Sequence, residues 1–276
     1  MITKDMKPGF IYTIILLIKL LTGVAIKAQE APAPDPSLWD TILSKHQVEG
    51  TFVLYSTARD EYYTWNKERA ETRYLPASTF KIPNTLIGLQ TGAIKRADEV
   101  FDWNGTDYGY DAWNRDLSIR EAFRLSAVWV YQEVARRVGR VAMDSLLQLC
   151  RYGNMKTGPH IDRFWLEGDV AISAYEQIEF LHKLWNRQLP FDVNYQQMVK
   201  EIMLAETSGN SRLHAKTGWA ARIQKQVGWY VGFVETPGDT WIFALNIDIK
   251  KPEDVDARIS ISRQILNKEG IFPYFK

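Results

Sequence analysis

Strand-like segments lie at both ends of this chain, with helical segments between them. Residues 51–57 and 61–65 are rich in β-branched and aromatic residues and read as two strands joined by a polar turn around Arg59 and Asp60. Residues 212–217, 226–235 and 240–248 read as three more. Between the two groups, apolar spacing predicts helices over 78–90, 118–125, 127–138, 141–149, 173–187 and 195–204, and a last helix closes the chain over 255–267. Strands from both ends must share one sheet, with the helices inserted between them. This is one domain split in sequence, not two in tandem, and 276 residues suffice for its core. Two stretches carry no clear period. Residues 101–115 are loop-rich and Trp-rich, and 151–168, with three glycines and a proline, read as a long surface loop.

Charge excludes some partners. Lys and Arg total 34 against 33 Asp and Glu, so no nucleic-acid surface is expected. The four histidines, His46, His160, His182 and His214, have no ligand spacing, so no metal is expected. Cys150 is the only cysteine and can form no internal disulfide; it reads as a small buried residue. Ten tryptophans must pack inside or line a cleft.

Residues 1–28 read as an export signal. Lys4 and Lys7 precede an apolar stretch over 10–25 broken by Thr13, Lys19 and Thr22, and cleavage is expected after Ala28. An uncleaved anchor is the alternative, against which Lys19 and the short stretch argue. The proline-rich segment 31–36 is a linker that cannot be helical. The mature domain is expected to span 29–276 and to be periplasmic, with no stable membrane association after cleavage.

The chemistry-bearing residues form short motifs in order. In Ser78-Thr79-Phe80-Lys81, a helical backbone puts residues i and i+3 on one face, so hydroxyl and amine can meet as nucleophile and base. Pro83 falls in the first turns of that helix. Ser126-Ala127-Val128 opens a predicted helix, where Ser126 alone would be a cap. Tyr152-Gly153-Asn154 reads by itself as a turn. Lys216-Thr217-Gly218 lies on a strand, where the glycine permits close approach of a ligand or another backbone. A second Lys-Thr-Gly at 156–158 has no strand pattern around it and reads as coincidence.

Together with Phe164-Trp165-Leu166, these motifs resemble those of the class D serine β-lactamases, the oxacillinases, over nearly all of the mature chain. The likeness extends to Leu75 through Asn84, Val130 through Arg136 and Gly228 through Gly232. It implies the α/β (α+β) fold of serine β-lactamases and penicillin-binding transpeptidases, with a mainly antiparallel sheet, flanking helices and a helical insertion. It implies hydrolysis of the β-lactam ring of penicillin-type antibiotics, and hence resistance, through an acyl-enzyme on Ser78. An ordinary lysine is neutral in only about one molecule in 2,500 at pH 7. The family pattern therefore implies that Lys81 is buried, carries CO2 from bicarbonate as N6-carboxylysine, and serves as general base in acylation and deacylation. Trp165 is implied to hydrogen-bond that carbamate, and Val128 and Leu166 to keep it dry.

By the same resemblance, Ser126 and Lys216 pass a proton to the lactam nitrogen, and the backbone N–H groups of Ser78 and Trp219 form the oxyanion hole. Thr217, Gly218, Trp219 and Arg258 contact substrate, with Thr217 and Arg258 taking its carboxylate; an exposed surface arginine is the plain alternative for Arg258. Trp219 stands where a tyrosine or phenylalanine is usual. The connection from Trp219 to Val227, with Arg222, is similar to that of carbapenem-hydrolysing members. Two other activities share these motifs: a non-hydrolytic β-lactam sensor domain, which follows several membrane spans, and a cell-wall transpeptidase or carboxypeptidase, whose second motif ends in asparagine where Val128 stands. Monomer and homodimer are both compatible with the family.

Overall fold

The computed structural model describes residues 33–273, so the expected export signal at 1–28 lies outside the described residues. The chain divides after Pro34, and the unit beginning at Asp35 carries all that follows. After a 3-10 turn at Pro36–Trp39, helix α1 (Asp40–His46) leads into the hairpin β1 (Gly50–Ser56) and β2 (Glu61–Trp65). A short α2 (Lys67–Glu71) and a second 3-10 turn, Ala77–Phe80, precede α3 (Lys81–Gln90). The ribbon β3 (Val100–Phe101) and β4 (Leu117–Ser118) brackets a third turn, Asp111–Trp113. Then come α4 (Ile119–Leu125), α5 (Val128–Val138), α6 (Arg140–Cys150), α7 (Phe164–Glu167), α8 (Ala174–Trp185) and α9 (Val193–Met203). The chain returns to the sheet with β5 (Leu204–Ser208), β6 (Ser211–Trp219), β7 (Val227–Glu235) and β8 (Thr240–Asp248), and ends in α10 (Glu253–Lys268).

One six-stranded antiparallel sheet runs β2-β1-β8-β7-β6-β5. The first and last strands are neighbours in its middle, with Phe52 opposite Leu245 and Val53 opposite Ala244. The two ends of the chain thus build one sheet, as predicted. Successive side chains of a strand point to opposite faces. Val53, Tyr55, Val231 and Phe233 enter the core shared with α3, α5 and α8. Phe52, Leu54, Phe243 and Leu245 enter a second core with Trp39 of the first 3-10 turn, Leu43 of α1, and Ile261 and Ile265 of α10. Both faces are covered, which is why β7 and β8 are nearly continuous apolar runs.

The helix that carries the site is itself core. Every residue of α3 from Lys81 to Leu89 is buried. Pro83 is its third residue, where the N–H has no helical partner in any case, so the proline is accommodated in the first turn as expected. α4 and α8 start with capping boxes, Ser118 with Glu121 and Ser173 with Glu176.

Three expectations are corrected. The stretch 151–168 is not all surface loop, because α7 forms within it and buries Phe164, Trp165 and Leu166. Leu204 ends no helix: it begins the edge strand β5, which pairs with β6. Ser126 does not cap a following helix; it closes α4 in the left-handed conformation, φ 57°, and Ala127 precedes α5.

Candidate active site

Ser78 sits in the one-turn 3-10 helix Ala77–Phe80, and Lys81 is the first residue of α3. The i, i+3 spacing brings Lys81 Nζ to 3.4 Å from Ser78 Oγ. Ala77, just before the serine, is held at φ 49°, a region that L-residues visit at a cost. Surrounding bonds over-determine that turn: Thr79 donates through N and Oγ1 to Pro76 O at 3.2 and 2.8 Å, and Gln177 donates to Thr79 Oγ1 at 2.9 Å.

Lys81 is fully buried. Burial, and then the neighbouring charge of Lys216, hold its pKa well below the ordinary lysine value, so the neutral amine is favoured. Its Nζ lies 4.7 Å from the centre of the Tyr131 ring, and Tyr131 Oη is 2.9 Å from Thr85 Oγ1. Tyr131 was not singled out by sequence reasoning, although it lies three residues after Val128 on the same face of α5.

β6 brings the second amine. Lys216 Nζ donates to Ser126 Oγ at 2.5 Å and to Thr217 Oγ1 at 3.2 Å. Burial, and then the charge of Arg258, lower its pKa to about 7. Ser126 is reached because the left-handed turn between α4 and α5 aims its side chain at β6 rather than at a helix N-terminus.

Gly218 shows why that strand position needs glycine. An added Cβ would stand 2.8 Å from Pro76 O and 3.3 Å from Thr79 N, so only glycine lets β6 lie against the backbone of the serine turn. Two residues on, Ala220 donates to Val227 O at 2.9 Å. By the alternation of an antiparallel ladder, the N–H of Trp219 therefore points away from β7. The Trp219 ring is partly exposed along the cleft, with Nε1 on Gln226 Oε1 at 2.9 Å.

Arg258 is not an exposed surface arginine. Only 7% of it is accessible, and its Nη1 donates to Gly218 O at 2.5 Å. Burial lowers its pKa to about 10, so it remains a cation, and it has no carboxylate in ion-pair range among the described residues.

Phe164, Trp165 and Leu166 on α7 form the opposite side. The Trp165 ring stacks on Phe80 at 5.3 Å, and its Nε1 is buried with no hydrogen-bond acceptor among the described residues. Leu166 and Val128 line the cleft. The Trp-rich stretch supplies a further wall. Tyr108 stacks on Trp129 at 6.0 Å, while Trp113 donates to Leu125 O and Trp129 to Trp113 O, each at 3.0 Å. The cleft holds about 670 Å³. A hollow of about 880 Å³ lies beyond Trp219, beside Lys251 and Val255, but holds none of these hydroxyls or buried amines.

Tyr152, Gly153 and Asn154 support the site from outside it. Tyr152 is buried edge-on against Phe80 at 5.6 Å. Asn154 donates to Asp169 O and accepts from Ala171 N, at 2.8 and 3.0 Å, which anchors the loop after α7. The Lys-Thr-Gly copy at 156–158 is held by Arg140, which reaches Thr157 Oγ1 at 3.0 Å, and it does not line the cleft. Cys150 is buried, and burial pushes its thiol up to about 12. Among the described residues no cluster of His, Cys, Asp and Glu could hold a metal ion, and no helix is long and apolar enough to cross a membrane.

A half-buried serine beside a fully buried lysine, faced by a second serine–lysine pair, is a site equipped for nucleophilic acyl transfer. The family model of the penicillin-binding protein transpeptidase domain matches residues 16–268. Within that superfamily the relatives are more specific. Beta-lactamase OXA-48 of Klebsiella pneumoniae is 38% identical over 94% of this chain and 97% of its own length, and Beta-lactamase OXA-5 of Pseudomonas aeruginosa is 42% identical over 84% and 88%. Among solved structures, the class D β-lactamase FUS-1 (OXA-85) of Fusobacterium nucleatum subsp. polymorphum superposes with a TM-score of 0.84 at 37% identity, covering 87% of this chain and all of that one. The class D β-lactamase YbXI of Nostoc gives 0.83 at 38%, covering 85% and 99%. The chain belongs to the class D β-lactamases, serine hydrolases acting on cyclic amides.

Proposed function

We propose that this enzyme opens the β-lactam ring of penicillin-type antibiotics through an acyl-enzyme on Ser78, with Lys81 acting in its N-carboxylated form. The observation that carries this reading is Trp165 Nε1, a buried donor with no acceptor among the described residues, on a ring stacked against the residue beside Lys81. An indole N–H can only donate, so an anion suits it. Reaction of an amine with CO2 needs the neutral amine, and burial of Lys81 favours that form. Val128 and Leu166 give the group an apolar border. When bound, the carboxylate of the modified lysine supplies an anionic base beside the serine.

The chain's own residues do the rest. Ser78 Oγ bonds to the lactam carbonyl carbon while the hydroxyl proton is taken up at the Lys81 side chain. Ser78 N–H, in the unpaired first turn of its 3-10 helix, and Trp219 N–H, turned from β7, can both donate to the carbonyl oxygen as it gains charge. As the C–N bond breaks, Ser126 gives its proton to the nitrogen and regains one from Lys216, whose pKa near 7 suits transfer in either direction. The substrate carboxylate meets Thr217 Oγ1 and the Arg258 fork. Water then releases the acyl group from Ser78, with the base at position 81 accepting its proton.

Resistance to penicillins follows from that activity, and the signal read at residues 1–28 supports a periplasmic site of action. Arg222 lies 3.9 Å from Glu167, which ties the β6–β7 connection to α7. That loop favours carbapenem hydrolysis as well; turnover no faster than by a narrow-spectrum oxacillinase sinks this part.

The test is turnover of a chromogenic cephalosporin by the purified mature protein with and without bicarbonate. Many turnovers that rise with bicarbonate are expected. A single stoichiometric burst would instead indicate a sensor or a transpeptidase. Lys81→Ala should acylate slowly and deacylate hardly at all; hydrolysis at the wild-type rate would overturn the role of the modified lysine.

A further inference from the structure

The strand segment Lys216–Thr217 walls a second cavity, of about 410 Å³, that no step of the mechanism uses. Thr217 and Arg124 line both this cavity and the catalytic cleft, so the two spaces meet there. The position along β6 gives it a meaning. In the proposed mechanism Trp219, whose N–H points away from β7, lies at the acyl end of the lactam. Lys216 and Ser126, 2.5 Å apart, mark the leaving-nitrogen end. The second cavity continues past Lys216 to Ala215, farther out on the leaving-nitrogen side.

Its chemistry is cationic over an apolar floor. Arg120 and Arg124 are four residues apart on α4 and so share one face, where like charges repel. Arg124 is exposed and makes no hydrogen bond or ion pair among the described residues, and Arg120 spends one N–H on Glu201 O at 3.1 Å without meeting a carboxylate. The acid in the lining, Glu121, is already committed: Ser118 N, Ser118 Oγ and Arg115 Nη2 donate to it at 3.0, 2.8 and 2.8 Å. Phe123, Met203 and Tyr230 form apolar lining.

We propose that this cavity is a subsite for an anionic substituent on the leaving-nitrogen side of the substrate, the C3 substituent of a cephalosporin, held by Arg124 and Arg120 above Phe123 and Tyr230. The proposal rests on the reading that Ser126 and Lys216 face the lactam nitrogen. A β-lactam with a second negative charge there would place it beside two guanidinium groups that have no carboxylate partner among the described residues, while its ring carboxylate occupies Thr217 and Arg258.

The experiment uses three cephalosporins with one acylamino side chain and an anionic, neutral or cationic C3 substituent. Each is assayed with the wild-type enzyme, Arg124→Gln and Arg124→Glu. The wild type is expected to favour the anionic over the cationic compound by about fivefold in kcat/KM at low ionic strength, mainly through KM, and the preference should fade with salt. Arg124→Gln should abolish the preference and Arg124→Glu should reverse it, with the neutral compound changed less than twofold. The same ranking of the three compounds in all three proteins would overturn the subsite, as would an equal loss on all three compounds. If the wild type hydrolyses none of them, including the neutral one, the reading of the catalytic site fails instead.

Discussion

Lys216 Nζ stands 2.5 Å from Ser126 Oγ across 90 residues of sequence, and this contact ties the sheet to the helical insertion at the catalytic cleft. The amine is buried, and Arg258 adds a second positive charge to its surroundings. A buried amine of this kind lowers stability while it equips the site.

The first expectation concerns that cost. Unfolded, Lys216 holds its proton up to its ordinary value of 10.5; folded, it releases it at about 7. Between these values unfolding takes up a proton, so stability rises with pH; below 7 both states are protonated and the burial penalty is complete. Lys216→Met should therefore raise the Tm at pH 6 by about 2–4 °C, for a gain on the order of 1 kcal/mol, and the gain should shrink toward pH 10. Hydrolysis should fall at least a hundredfold. A lower Tm at pH 6 would show that the Ser126 contact outweighs desolvation.

Much of this arrangement was legible in the sequence, for physical reasons. β8 was read at its observed bounds because burial on both faces of all nine residues selects an apolar centre, Trp241 to Leu245. The Ser78–Lys81 contact follows from i, i+3 spacing on a helical turn, and the ordered motifs that accompany it single the pair out. What escaped was carried by tertiary context. β5 is a polar edge strand, Leu-Ala-Glu-Thr-Ser, held by pairing with β6 and by Glu206 on Arg263 at 2.6 Å, both of them tertiary contacts. The left-handed break at Ser126 has no glycine or proline to announce it. Tyr131 under Lys81 and the aromatic wall of Tyr108, Trp113 and Trp129 depend on how α5 meets a loop, and only the excess of tryptophan hinted at them.

Gly218→Ala tests the close approach of β6 to the serine turn. The new methyl would meet Pro76 O at 2.8 Å, a backbone atom that cannot rotate away. The strand must back off by some tenths of an ångström. A stability loss of about 1–3 kcal/mol is expected, with kcat reduced more than tenfold because the Trp219 N–H moves with the strand. Urea unfolding and steady-state kinetics read the two effects. Wild-type kcat would mean that the turn can follow the strand.

Arg258→Lys separates charge from shape. Arg258 is buried with Nη1 on Gly218 O, and its planar fork can still meet a carboxylate. Lysine keeps the charge and loses the fork. KM for a penicillin should rise about tenfold, with kcat within about threefold, since one charge-assisted bond is worth roughly 1.5–3 kcal/mol. An unchanged KM would remove Arg258 from substrate binding.

Trp165→Phe isolates the unpaired indole donor. Phenylalanine can keep the stack on Phe80, which contributes about 0.5–1.5 kcal/mol beyond burial, and it removes an N–H that has no acceptor among the described residues. Removing an unsatisfied buried donor need not cost stability, so the unmodified protein should unfold within about 1 kcal/mol of wild type. Activity should behave differently. If that N–H holds the carboxylated Lys81, losing a hydrogen bond to an anion, worth roughly 1.5–3 kcal/mol, weakens CO2 retention by about 10- to 100-fold. Hydrolysis in bicarbonate-free buffer should drop accordingly and recover as bicarbonate is raised, with a half-saturating concentration shifted upward by the same factor. Loss of activity that bicarbonate cannot restore would assign Trp165 to packing alone. Full activity without bicarbonate would show that the Lys81 adduct does not need this donor.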